Sequence, residues 1–271
     1  MAVITISRQC GSMGNEIGKK LAEKLNAEIV DREVLEEKFQ KRDVNIETLL
    51  KYDEKHPKFW SLFDAEKDRY FHYMAETILG YASNGNCVIL GRGSQVLLSG
   101  VSGVLHVRII APREWRVRHL IESLQYSESH AEETVTKSDH DQAKYIKSYY
   151  DHEMDEPQLY HMILNTSRMK DEEVINVIMK AAEMKEKFLD TSMIKDLLIE
   201  QNIFVMLKYE RHIPIQNFSV RVREGVVTLR GSTISDEAII SVSQLVEKIP
   251  GIRQVNNELF RAYAYTPHGM Y

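Results

Sequence analysis

The run Gly11-Ser12-Met13-Gly14 ends a β-branched stretch and opens a helical period, with Arg8 just before it and Asn15 just after it. A glycine turn feeding a helix offers unpaired backbone N–H groups and the positive end of the helix dipole, which together can hold an anion such as a nucleotide phosphate. The nearby Gly18-Lys19-Lys20 invites comparison with the Walker A loop G-x-x-x-x-G-K-[ST], whose lysine reaches the β- and γ-phosphates and whose hydroxyl holds Mg2+. That comparison fails: counted from Gly14 the spacing is one residue short, Lys20 stands at the hydroxyl position, and Gly18 lies a full turn inside the helix. Lys19 is therefore expected on a solvated helix face, and the phosphate cradle in the earlier turn. An ordinary glycine-rich strand-to-helix connection is the competing reading of the same residues. Cys10, with Arg8 as its one evident cationic neighbour in sequence, is expected to be a packed thiol.

Strands and helices alternate around these residues. Residues 2–7 alternate β-branched side chains, and from Asn15 the period changes to one that puts Ile17, Leu21 and Leu25 on a single helix face. Glu16 with Lys20 and Lys19 with Glu23 are expected to pair at i,i+4 on its outer face. A short apolar piece, 27–30, leads into the helix-prone "DREVLEEKFQK". Residues 44–82 read as helical with an interruption around Pro57, and their stripe of Trp60, Phe63, Tyr70, Phe71, Tyr73 and Met74 is expected to be core. The runs "NCVIL" and "GVLHVRIIA" look like buried parallel strands. Residues 113–125 and 128–150 read as helices, "LYHMILNTS" as a last strand, and 171–187 as a helix with Val174, Val177, Ile178 and Ala181 at helical spacing. This order predicts an α/β fold, a parallel sheet with helices on both faces.

After about residue 188 the pattern changes. A helix around 192–202 and an irregular stretch precede two alternating strands joined near Glu224-Gly225, a helix with Ile239, Val242, Val246 and Ile249 on one face, and a final strand after Pro250-Gly251. This predicts a separate, small α+β domain. Arg221, Arg223 and Arg230 are expected to share its exposed sheet surface.

A length of 271 residues suits two domains, and a net charge of −5 gives no bulk pull toward nucleic acid or anionic lipid. No nucleic-acid partner is therefore expected, and nucleotides, as small mixed-charge ligands, fit the balance better. Two cysteines, Cys10 and Cys87, support neither a disulfide framework nor a cysteine metal cluster, and no protein-held metal site is expected. No leader pattern or apolar run of about 18 residues is present, so a cytoplasmic location is the expectation.

Taken in order, "ITISRQCGSMGNEIGKKLAEKL", "VDREVL", "NCVILGRGS", "VRIIAPREWRVRHLI", "KSDHDQAKYIKSYY" and "YHMILNTSRMKDEEVINVI" resemble the cytidylate kinase-like family, a branch of the P-loop nucleoside monophosphate kinases, over roughly residues 1–185. The resemblance implies a three-layer α/β core with a mobile lid and transfer of a phosphoryl group from Mg2+–ATP to a nucleoside monophosphate. It assigns the donor phosphates to Gly11, Ser12, Met13 and Gly14, with Arg8 and Asn15 flanking them, and the monophosphate side to Asp31 and Arg32. It assigns the acceptor phosphate to Arg92, the flank of the lid to Arg116 and Arg118, and the lid's return to Asp139. Such a transfer is mostly positioning and charge neutralisation, so arginines are the side chains it needs.

Several departures matter. Gly14 stands at the position of the Walker lysine and Glu16 at that of the hydroxyl. The family branch commonly lacks that lysine but tends to follow the turn with a basic residue, where this chain has Met13 and Asn15. The arginine-rich lid pattern reads Asp139-His140-Asp141-Gln142 here. Each lost cationic contact would cost on the order of 10²–10³-fold in rate, unless Lys144 or Lys147 substitutes.

The stretch "FSVRVREGVVTLRGSTISDEAIISVSQLVEKIPGIRQVNNELF" resembles a BON domain. That resemblance implies a module that binds a membrane surface or another protein. The expected organisation is thus a cytidylate kinase-like domain over 1–187 and a BON domain over 192–262. The expected activity is phosphorylation of a nucleoside monophosphate, cytidylate first among acceptors, with the BON module localising or regulating it. A nucleotide-binding regulatory protein of weak or no catalysis is the alternative, and a homo-oligomer is compatible with either.

Overall fold

The computed structural model describes residues 1–40 and 65–262. Two compact units divide the chain, Met1–Thr191 and Ser192–Tyr271. Pro57, Trp60 and Phe63 lie outside the described residues.

The first unit is built on five strands, β1 (Val3–Arg8), β2 (Glu28–Val30), β3 (Cys87–Leu90), β4 (Leu105–Ile110) and β5 (Met162–Asn165). They lie in the order β2-β3-β1-β4-β5 and every pairing is parallel. Parallel neighbours require crossovers, and the helices supply them: α1 (Gly14–Leu25), α2 (Arg32–Gln40), α3 (Ala65–Asn84), the single turn α4 (Ser94–Leu97), α5 (Arg113–Leu124), α6 (Glu128–Tyr150) and α7 (Asp171–Lys185). β1 sits at the centre, so the loop that follows it emerges at the middle of the carboxyl edge of the sheet. Ligands of open α/β sheets gather at that edge.

The two faces of the sheet differ. Ile4, Ile6, Val88, Leu90, Leu105, Val107 and Ile109 pack with Ile17 and Leu21 of α1 and Val174, Ile175 and Ile178 of α7 in one apolar core. Each such side chain contributes about 1.5–3 kcal/mol by leaving water. The opposite face carries Thr5, Ser7, His106 and Arg108, all buried and all hydrogen-bonded. Thr5 Oγ1 meets His106 Nδ1 at 2.8 Å, and Arg108 donates to Ser7 Oγ at 2.9 Å and to Asp155. Of the two strands that read as continuous apolar runs, β3 is apolar on both sides, whereas β4 is apolar on one side and internally paired on the other.

Two helix expectations change. On α1 the expected Glu16–Lys20 and Lys19–Glu23 pairs give way to pairs between elements: Lys20 reaches Asp171 at 2.5 Å, Lys24 reaches Glu172 at 2.5 Å, and Lys19 lies 3.9 Å from Asp31. Packing α1 against α7 brings carboxylates nearer than the helix's own. On α7 the core takes Ile175 instead of Val177, which is 36% exposed, because the sheet meets a face rotated from the one the spacing marked. Of the aromatic stripe, Tyr70, Tyr73 and Met74 are core residues of α3.

The second unit holds α8 (Thr191–Val205), the antiparallel hairpin β6 (Gln216–Arg223) and β7 (Val226–Thr233), α9 (Asp236–Val246), and β8 (Gln254–Arg261), which runs parallel to β7. Glu224 and Gly225 turn the hairpin with φ of 50° and 74°, the left-handed pair that suits strand twist. Asp196 of α8 accepts from both of their backbone N–H groups. Ile199, Ile203, Val227, Leu229, Val242 and Val246 form the core. The three arginines are exposed as expected, but Arg221 pairs with Glu200 at 3.2 Å and Arg230 with Glu258 at 2.7 Å, so the surface is largely neutralised.

Candidate functional site

Between β1 and α1 the chain makes a tight loop. Gly11 and Met13 take left-handed φ of 78° and 63°, and Met13 caps α1 with no side-chain hydrogen bond to the helix. The first N–H groups of α1 are thus left to an external acceptor. Ser12 is buried, and its hydroxyl donates to the carbonyls of Gln9 at 2.8 Å and Ile109 at 3.2 Å, while Thr166 Oγ1 donates to the Ser12 carbonyl at 3.0 Å. The Ser12 hydroxyl therefore holds the loop to β4. Gly14 allows Arg8 to cross its backbone, since a Cβ there would lie 2.3 Å from Arg8 Cβ. Arg8 Nε then donates to Asn15 Oδ1 at 2.9 Å, which fixes its direction.

Gly18 proves to be a packing residue: a Cβ would meet Leu90 at 2.6 Å, so it seats α1 on β3. Lys19, the neighbour expected to be merely solvated, lines the cleft beside the loop at 54% exposure. The spacing of Asn15 and Lys19, four apart on one helix face, was the signal available for this.

That cleft, of about 140 Å³, is lined by Arg8, Asn15, Lys19, Asp31, Arg32, Glu33, Leu90 and Arg92. Four cations stand against two carboxylates, so the site favours an anion. Asp31 accepts from the backbone N–H of Glu33 at 3.1 Å and of Val34 at 3.3 Å, capping α2, and Arg32 pairs with Glu36. Arg92 is 5% exposed, a buried arginine rather than a surface-loop one, and its φ is 61°. A left-handed non-glycine residue costs about 1 kcal/mol, a strain typical of positions where geometry serves a ligand.

The sequence pattern of the cytidylate kinase-like family matches residues 3–168. The chain belongs to that family. A BON domain pattern matches residues 195–260, so this family member carries a BON domain after its kinase-like part. The cytidylate kinase of Methanocaldococcus jannaschii is 25% identical over 192 residues, covering 68% of this chain and 99% of that protein. A 108-residue stretch is 28% identical to the uronate isomerase of Corynebacterium glutamicum; it covers 40% of this chain, which spans 21% of that protein's length. An uncharacterized protein from Eubacterium ventriosum shares the fold, with a TM-score of 0.54 at 20% identity over 68% of this chain and 98% of that one.

In this cytidylate kinase-like chain, Arg116 and Asp139 face each other across α5 and α6. Arg116 is buried, and its Nη1 and Nη2 donate to the Asp139 carboxylate at 3.0 and 2.8 Å, its Nε to the Ala111 carbonyl at 3.1 Å, and its Nη1 to the Cys10 carbonyl at 3.2 Å. The pair ties the loop between β1 and α1 to the middle of α6. Arg118 is not brought to the cleft: it lies on the exposed side of α5, because Arg116, Val117 and Leu120 take the buried side. Lys147 is engaged by Asp151 at 3.0 Å and Glu153 at 3.3 Å, and Lys144 is exposed on α6. His140 is exposed, while Gln142 is buried with Nε2 on Ser138 Oγ at 3.2 Å. Sequence reasoning missed Tyr150, whose hydroxyl bonds the Arg92 carbonyl; nothing in the spacing of residues 92 and 150 marks that contact. Among the described residues no three His, Cys, Asp or Glu side chains gather as a metal site, and no helix is long and apolar enough to cross a membrane.

Proposed function

We propose that the first unit transfers the γ-phosphoryl group of Mg2+–ATP to a nucleoside monophosphate, with cytidylate as the first acceptor to test. The observation that carries this reading is the cleft in which Arg8, Lys19, Arg32 and Arg92 converge beside the uncapped start of α1. In it the donor phosphates rest on the N–H groups of Gly11, Met13, Gly14 and Asn15, the Ser12 N–H being taken by the Gln9 carbonyl, and the acceptor phosphate is held by Arg92 and Arg32. An acceptor oxygen attacks the γ-phosphorus, the bond to the β–γ bridging oxygen breaks, and ADP leaves. Mg2+ enters as part of the ATP substrate. The choice of cytidylate rests on the name of the Methanocaldococcus jannaschii relative, nearly all of which aligns with this chain. Arg116 and Asp139 act by holding the loop against α6 rather than by touching phosphate.

The lid favours a second reading. Arg116 is engaged by Asp139, Arg118 is turned outward, and Gln142 stands where the family pattern has an arginine, so the lid adds few cations that could stabilise the transition state beyond those that bind the ground state. On that reading the unit holds a nucleotide as a signal, and the BON domain passes it to a protein or a membrane surface. Titration of the full chain with Mg2+–ATP and a panel of monophosphates, following heat of binding and ADP release together, separates the two. The enzyme reading expects acceptor-dependent ADP; saturable binding without it would leave the regulatory reading.

A further inference from the structure

Gly91, Arg92 and Gly93 hold left-handed φ of 71°, 61° and 68° in succession. A non-glycine residue keeps that conformation only where its surroundings hold it. Tyr150, the last residue of α6, makes that contact. Its hydroxyl donates to the Arg92 carbonyl at 2.7 Å, and its ring lies so close to Gly93 that a Cβ there would be 2.0 Å from Cε2. The end of α6 that carries it is fixed on α3: Phe71 stacks on Tyr149 at 5.3 Å, meets Tyr150 edge-on at 5.5 Å, and Lys67 donates to Ser148 Oγ. One turn earlier Tyr145 is fully buried, with its hydroxyl on Met74 Sδ at 2.9 Å.

We propose that Tyr150 is a positioning residue for the acceptor phosphate: by holding the Arg92 carbonyl and covering Gly93, it aims the Arg92 guanidinium into the cleft. The carbonyl and the side chain of Arg92 flank one Cα, so the ψ that the Tyr150 bond selects also sets where the guanidinium points. The inference rests on the phosphoryl-transfer reading above. Because α6 also carries Asp139, which holds Arg116 and through it the Cys10 carbonyl, one helix references both sides of the cleft. Loss of the Tyr150 hydroxyl should therefore disturb the acceptor side and spare the donor side.

The test uses the full chain and Tyr150→Phe, which keeps the ring over Gly93. Without any nucleotide, amide exchange over residues 91–97 is expected to quicken about fivefold, the worth of one hydrogen bond. With ligands, cytidylate affinity should fall about tenfold while ATP affinity stays within about twofold. Unchanged exchange would overturn the hold itself, and faster exchange with unchanged cytidylate affinity would leave Tyr150 a purely structural residue. A wild type that binds no monophosphate overturns the phosphoryl-transfer reading and the acceptor role together; wild-type binding with an unaffected variant overturns the Tyr150 role alone. Should Tyr150→Phe unfold, Phe71→Leu serves instead, since it removes the ring that meets Tyr150 edge-on and leaves the Arg92 turn itself unaltered, with the same expected loss for cytidylate and none for ATP.

Discussion

At Arg92 the side chain and the backbone make opposite demands. Arg92 lines the cleft with a cation, whereas a φ of 61° suits glycine. Arg92→Gly is therefore expected to keep the melting temperature within a few degrees, relief of strain offsetting lost packing, while monophosphate affinity falls about 30-fold through loss of a charge-assisted hydrogen bond. Unchanged affinity by calorimetry would show that the arginine does not meet the ligand. On the polar face of the sheet, burial, with His161 and Lys185 nearby, pushes His106 down to about 4. The unfolded chain takes up a proton that the folded chain refuses, so stability from this group is present above about pH 6.5 and lost as pH falls toward 4, by about 3 kcal/mol in all. Burial and Lys185 shift His161 in the same direction. Denaturant unfolding of the wild type and His106→Gln from pH 7 to pH 4 should show a flatter profile for the variant; parallel profiles would contradict the assignment. The sequence displays the positively charged residue types but not their fates: Arg116 and Arg118 are two apart on α5, and only the packed helix decides that one is buried and the other solvated.

Among the elements, α6 ties the site together most directly. Its middle grips Arg116 through Asp139, and its end holds the Arg92 turn. Asp139→Asn removes the charge but keeps the shape; with Asp139 38% exposed, the loss is placed at about 2 kcal/mol, below that of a wholly buried pair. Amide exchange over residues 9–13 should quicken with it, because the Arg116 bond to the Cys10 carbonyl loses its support. Exchange confined to α6 would show that the loop is held by Ser12 and Thr166 alone. The strands, the helix α6 at 128–150 and the turn at Glu224-Gly225 were legible from periodicity and turn chemistry, since local pattern decides them. The rotated face of α7 and the pairs made by Lys20 and Lys24 were not, because the carboxylates that attract them lie about 150 residues away.

For the whole molecule, the kinase-like unit and the BON-bearing unit each have a core of their own. Calorimetry of the full chain is expected to show two transitions, and cytidylate alone at about 100 times its Kd should stabilise one of them by about 2.7 kcal/mol and leave the other in place. A single transition that moves as a whole would show that the units unfold together. The family, the change of character near residue 188 and the glycine turn at 11–14 were determined by the sequence itself, through motif order, composition and glycine placement. Only the tertiary structure decided which cations meet. Arg8, Lys19, Arg32 and Arg92 come from four separate segments, and parallel strand order β2-β3-β1 brings their ends to one edge. Spacing along a chain cannot express that convergence, because it is set by long-range packing rather than by any local period.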